Sequence, residues 1–83
     1  MNYNLSLHAE EQLLNRGISK GIAMSVLENP DNILKHDECL SIFQRLIKEE
    51  NKTYLYRVFV NTCKNPKLII TVYKTSKVGK YEN

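Results

Sequence analysis

The chain has 83 residues, 42% of them hydrophobic, which is enough for one core but not two, since neither half alone would bury enough surface to offset its conformational entropy. No apolar run approaches the roughly 18–20 residues of a membrane span, and the opening "MNYNLSLHAEE" lacks the basic start and apolar stretch of a secretory signal, so one cytoplasmic domain, 1–83, with no membrane partner is expected. The net charge of +3 hides a division: residues 1–50 carry five basic and eight acidic side chains, whereas residues 51–83 carry seven basic ones against Glu82 alone.

Two helices are expected first. Ser6 can cap "LHAEEQLLNR", with Glu10 and Glu11 at the positive end of the helix, Arg16 at its negative end and Gly17 as the stop. Its apolar stripe is read as Leu7, Ala9, Leu13 and Leu14. Ser19 caps a second helix, "KGIAMSVLEN", with Ile22, Ala23, Val26 and Leu27 inward and Pro30 ending it.

After Pro30 the period changes to alternation. "NILKH", "CLSIFQRLIKE", "TYLYRVFVNTC" and "KLIITVYKT" read as four strands joined by the short turns "HDE", "ENK" and "KNP". The expected fold is therefore α+β, in the order α-α-β-β-β-β, with two N-terminal helices packed on one face of a four-stranded antiparallel sheet. Cys39 and Cys63 are isolated thiols without CxxC spacing and are expected to be reduced. His36 and Cys39 lie three apart, but no second pair of ligands accompanies them, so no metal and no cofactor is expected.

Alternation assigns faces. On the last strand Leu68, Ile70 and Val72 point one way and Ile69, Thr71 and Tyr73 the other; on the third, Tyr54, Tyr56, Val58 and Val60 oppose Leu55, Arg57, Phe59 and Asn61. Placing the more apolar sets against the helices leaves Arg57, Thr71 and Tyr73 on an open face, joined by Arg45. Beyond Tyr73, the segment "KTSKVGKY" adds Lys74, Lys77, Lys80 and Tyr81. A cationic surface with hydroxyls and rings suits a polyanion, and nucleic acid is the commonest one in a cytoplasm. The plainer reading is a solvated strand face and a solubilising tail.

No Gly-rich phosphate loop, HExxH or Ser-His-Asp spacing is present. Cleavage of RNA by its own 2′-hydroxyl needs only proton transfer and cations that stabilise the phosphorane. His8 suits the proton role by its ordinary titration range, although at the start of a helix it can equally cap or pack. Arg16 lies roughly 12 Å further along the axis and can serve either a phosphate or the helix dipole.

The segments "LSLHAEEQLLNRGIS", "VLENPDNI" and "LIITVYKTSKVGKY", in that order, resemble a small prokaryotic family of uncharacterised domains placed with the RelE-like and BrnT-like toxins. Those belong to the barnase/EndoU/colicin/RelE fold group of metal-independent ribonucleases. The resemblance implies RNA bound on the open side of the sheet and a cognate antitoxin as partner. Its site positions carry over to His8 and Arg16 on the first helix and to Thr71 and Tyr73 on the last strand. The resulting expectation is a toxin-like endoribonuclease acting without a metal on messenger, ribosome-bound or transfer RNA. His8, Arg16, Arg57, Thr71 and Tyr73 would do the chemistry, and Arg45, Lys74, Lys77, Lys80 and Tyr81 would hold the RNA. The alternative is a non-catalytic module that uses the same basic face to bind nucleic acid or an acidic protein.

Overall fold

The computed structural model describes residues 3–81, with side chains described over 3–79. In chain order the elements are β1 (Tyr3–Leu5), α1 (Leu7–Asn15), α2 (Lys20–Glu28), β2 (Asn32–Lys35), β3 (Leu40–Glu49), β4 (Lys52–Asn61), β5 (Lys67–Thr75) and a single turn, α3 (Val78–Tyr81). The fold is α+β, but the expected four-stranded antiparallel sheet is overturned. The sheet has five strands in the order β1-β5-β4-β3-β2, and β1 runs parallel to β5. Three residues are too few to display a period of two, and their partner lies at the far end of the chain, so neither local pattern nor a hairpin turn announces β1. The other four strands form the expected antiparallel meander.

Local chemistry sets the helices. The Ser6 hydroxyl accepts from the Ala9 N–H at 3.0 Å and the Ser19 hydroxyl from the Ile22 N–H at 3.1 Å, each satisfying a donor that the first turn leaves open. α1 ends where Gly17 takes φ +63°, with the Gly17 N–H bonded to the Leu14 carbonyl and the Ile18 N–H to that of Leu13. This is the C-terminal arrangement that favours glycine, and it turns Ile18 into the core.

Ala9, Leu13, Ala23, Val26 and Leu27 pack on Phe43, Tyr56, Val58, Val60, Ile69 and Val72. Two of the expected stripe residues of α1 do not join them: Leu7 is 80% and Leu14 83% exposed. The two lie on one side of the helix, about 130° from the side that carries Ala9 and Leu13. The faces of β5 also need correction. The register shifts between Phe59 and Val60, which pair with Thr71 and Ile69 and leave Ile70 as an extra residue. Such a bulge reverses the alternation behind it, so Ile69, and not Leu68 or Ile70, is fully buried with Val72.

The face away from α1 and α2 is not bare. α3 contacts β4, and on this face Leu55 is 2% exposed, Gln44 1% and Arg57 9%. At one end of the sheet Cys39 and Cys63 form a disulfide, with Cα atoms 5.1 Å apart, so the expectation of two reduced thiols is overturned. Leu40 pairs with Asn61, which brings the β2–β3 and β4–β5 turns side by side; sequence spacing does not reveal that neighbourhood. Among the described residues no helix is long and apolar enough to cross a membrane.

Candidate functional site

Arg57 lies in the middle of β4, in register with Gln44 on β3 and Tyr73 on β5. The three side chains form a row across the sheet. Gln44 Oε1 accepts from Arg57 Nε at 2.6 Å, while Gln44 Nε2 donates to Asn32 Oδ1 at 3.0 Å, so both ends of the buried amide are satisfied. Arg57 Nη1 donates to the Tyr73 hydroxyl. The guanidinium also lies 5.4 Å from the centroid of Phe59 and 5.6 Å from that of Tyr73, whose rings are 5.9 Å apart. These distances lie within cation–π range. Thr71, opposite Phe59 in the register, extends the row along β5.

A second guanidinium arrives from α1. β1 pairs with β5 only as far as Ile69, so beyond it α1 covers the exposed edge of β5. Gln12 Oε1 accepts from the Val72 N–H at 2.9 Å, and Arg16 Nη1 donates to the Val72 carbonyl at 3.3 Å. Four residues apart, Gln12 and Arg16 share one helix face and engage the N–H and the carbonyl of Val72, which would otherwise present an open sheet edge. The arrangement carries the Arg16 guanidinium to 5.7 Å from the Tyr73 ring centroid. Arg16 is exposed, so it supplies the water-facing cation of the pair.

Of the expected site residues, Arg16, Arg57, Thr71 and Tyr73 therefore come together. His8 does not: it is exposed in the first turn of α1 and makes none of the hydrogen bonds or ring contacts of the cluster. Arg45 lies on the other face, opposite Tyr56, and donates to the Ser25 carbonyl of α2 at 3.4 Å. Alternation on β3 puts Arg45 and Gln44 on opposite faces, and Gln44 is the one that meets Arg57. Lys77 is exposed at the end of β5. The side chains of Lys80 and Tyr81 lie outside the described residues.

Lys74 is also on the helix side of the sheet, where it is engaged. Its Nζ is 3.0 Å from Glu49 Oε1 and 4.5 Å and 5.7 Å from the ring centroids of Tyr54 and Tyr56. The Tyr56 hydroxyl donates to Glu49 Oε2. The hydrogen bond from Tyr56 and then that from Lys74 lower the pKa of Glu49. Burial, then the neighbouring carboxylate, raises that of Tyr56, and the hydrogen bond to Glu49 raises that of Lys74. Glu49, the last residue of β3, is thus the anion that neutralises one of the expected RNA contacts.

Sequence reasoning missed Gln44, Phe59 and Asn32. A signal for the first was present: Gln44 interrupts "SIFQRLI" as a polar residue on the phase of Ile42 and Leu46, the pattern of a buried polar group with a partner. Cys39 is in the disulfide, so it forms no metal pair with His36.

A family model described as a domain of unknown function (DUF4258) matches residues 5–74. No curated protein and no solved structure matches the chain. The match runs from Leu5, the last residue of β1, to Lys74 of β5, and the chain belongs to this family.

Proposed function

We propose that this DUF4258 domain is an RNA-cleaving domain of the RelE/BrnT toxin type, with its site at the Tyr73 ring on the face of the sheet away from α1 and α2. One observation carries the reading: two guanidiniums from different elements, Arg16 at 5.7 Å and Arg57 at 5.6 Å, converge on Tyr73. Paired cations beside a hydroxyl donor are what phosphoryl transfer needs to stabilise a developing dianion.

In this reading the ribose 2′-oxygen bonds to phosphorus as its proton leaves to solvent, and the P–O5′ bond breaks to give a 2′,3′-cyclic phosphate. Because the Tyr73 oxygen accepts from Arg57, its own O–H is free to donate. It supplies the proton to the departing 5′-oxygen and regains one from water. Arg16 and Arg57 oppose the phosphorane charge, and Thr71 orients the phosphate. His8 has no part, since it stands at the far end of α1 from Arg16. The partners are RNA and a cognate antitoxin, and the place of action is the cytoplasm, where reducing conditions would open the Cys39–Cys63 bond for part of the population.

A second reading is favoured by the burial of Arg57, at 9% exposure, and its bond to Gln44: Arg57 organises the sheet, and the domain binds RNA without cutting it. Digestion of messenger and transfer RNA in EDTA, with end-group analysis, separates the two. The enzyme reading expects fragments ending in cyclic or 3′-phosphate, and a loss of about 100-fold in Tyr73→Phe with the fold retained. RNA bound but left intact, free or on ribosomes, selects the binding module. Growth arrest on expression, relieved by a co-expressed antitoxin, is the cellular counterpart.

A further inference from the structure

After β5 the chain folds back over the face that carries the cluster. Leu55 lies on that face two residues before Arg57, between Leu46 of β3 and Thr75 of β5. A leucine on a bare sheet face keeps much of its surface in water, yet Leu55 is 2% exposed. α2 meets β4 from the opposite side, and α3 also contacts β4. The turn that leads into α3 fixes its side. Thr75 is in phase with Tyr73, so its hydroxyl stands on the face of the cluster, and there it accepts from the Lys77 N–H at 3.0 Å. The backbone is thereby drawn onto this face immediately before α3 begins at Val78. Val78, the one aliphatic residue of α3, is half-buried, whereas Gly79 is exposed.

A single helical turn of four residues has no stability of its own away from the sheet. What it borders is the less accessible half of the cluster. Arg57, the next residue along the same face, is 9% exposed, while Arg16 is open to water. One guanidinium is thus ready for an anion and the other is shut in. We infer that α3 is a strap over the β4 side of the cluster, and that it lifts from Leu55 before a phosphate of RNA reaches Arg57. The inference rests on the proposed RNA site for its ligand, but the movement of the strap does not depend on it. RNA affinity then scales with the fraction of molecules in which the strap is raised.

Two substitutions in the full chain push the strap in opposite directions. Val78→Ser removes the aliphatic contact and raises the open fraction by roughly fivefold. Gly79→Ala lowers it by a similar factor, because alanine favours the helix and a Cβ at this position meets nothing within 4 Å. Phenylglyoxal, which condenses with accessible guanidiniums, reads the strap without RNA. Peptide mapping by mass spectrometry gives the rate at Arg57 relative to that at Arg45, which is bonded to the Ser25 carbonyl of α2 and so reports loss of the fold. The ratio is expected to rise in Val78→Ser and fall in Gly79→Ala, with Arg16 reacting fast in both. A ratio that does not move in opposite directions overturns the strap. Affinity for a short single-stranded RNA, measured by fluorescence anisotropy, is expected to follow the ratio. RNA bound equally by wild type and both variants overturns the gating role. RNA bound by none of the three, with the ratio shifting as expected, upholds the strap and rejects the RNA reading instead.

Discussion

Arg57 and Lys74 occupy adjacent rungs of the same two strands, and their fates differ completely. In the register of β4 and β5, Arg57 pairs with Tyr73 and Tyr56 with Lys74. One step along the strands moves the cation from one face of the sheet to the other. On the helix side Lys74 meets a carboxylate, Glu49, whose second oxygen is taken by a tyrosine. On the other side Arg57 bonds the Gln44 amide and the Tyr73 hydroxyl, and Arg16 is brought to the same Tyr73 ring. The lesson is that a count of lysines and arginines says little about where positive potential is available. The field of Lys74 is opposed by the Glu49 carboxylate beside it, whereas Arg16, exposed at the edge of β5, faces water.

The comparison can be broken or sharpened in several ways. Reduction of Cys39–Cys63 clamps neither cluster selectively, so it should lower overall stability by about 3 kcal/mol in urea titrations with and without dithiothreitol. Equal activity per folded molecule in the two states would confirm that neither cluster depends on the bond. Gln44→Leu leaves the Asn32 carbonyl oxygen and Arg57 Nε without their amide partner and should cost about 2 kcal/mol by the same titration. It should also weaken RNA binding, because Arg57 loses the group that orients it; unchanged binding would place Arg57 outside the RNA site.

Arg16→Ala should lower RNA affinity and reduce the slope of log affinity against log salt by about one. Lys74→Ala should leave both nearly unchanged, and an equal loss in the two variants would erase the distinction between the faces. The smallest effect is in the pH profile. Glu49 has a folded pKa below its ordinary 4.5, so its contribution is complete above that value and fades as pH falls through the lower, folded one. Lys74 has a folded pKa above its ordinary 10.5, so its share persists below that value and fades as pH rises through the higher one. Glu49→Gln should flatten both limbs of the profile, and a profile that stays unchanged would remove Glu49 from the cluster.

Local signals carried most of the fold. Ser6, Gly17, Ser19 and Pro30 marked the two helices, and hydrophobic alternation located β2 to β5 within a few residues. What escaped depended on residues distant in sequence: the pairing of β1 with β5, the bulge at Ile70, and the meeting of two turns that joins Cys39 to Cys63. The candidate site followed the same rule. Arg57 and Tyr73 were legible because neighbouring antiparallel strands keep one phase, and Arg16 became part of the cluster only through the docking of α1 on the β5 edge. Arg45 was misplaced by one residue of phase. Lys74 lies on the helix side by the same alternation that places Tyr73, yet it had been grouped with the tail. His8 depended on its helix number alone, with no strand to aim it.

The bond between Gln12 and Val72 spans 60 residues, and it lies where α1 meets the last strand. A growing chain can wind both helices and zip up β2 to β4 while this connection is still impossible. The cationic cluster, drawn from residues 16, 57 and 73, is therefore a property of the finished molecule. A fragment ending before β5 can hold Arg57 against Gln44 and Phe59, but the meeting of the two guanidiniums on Tyr73 waits for closure of β5 on α1.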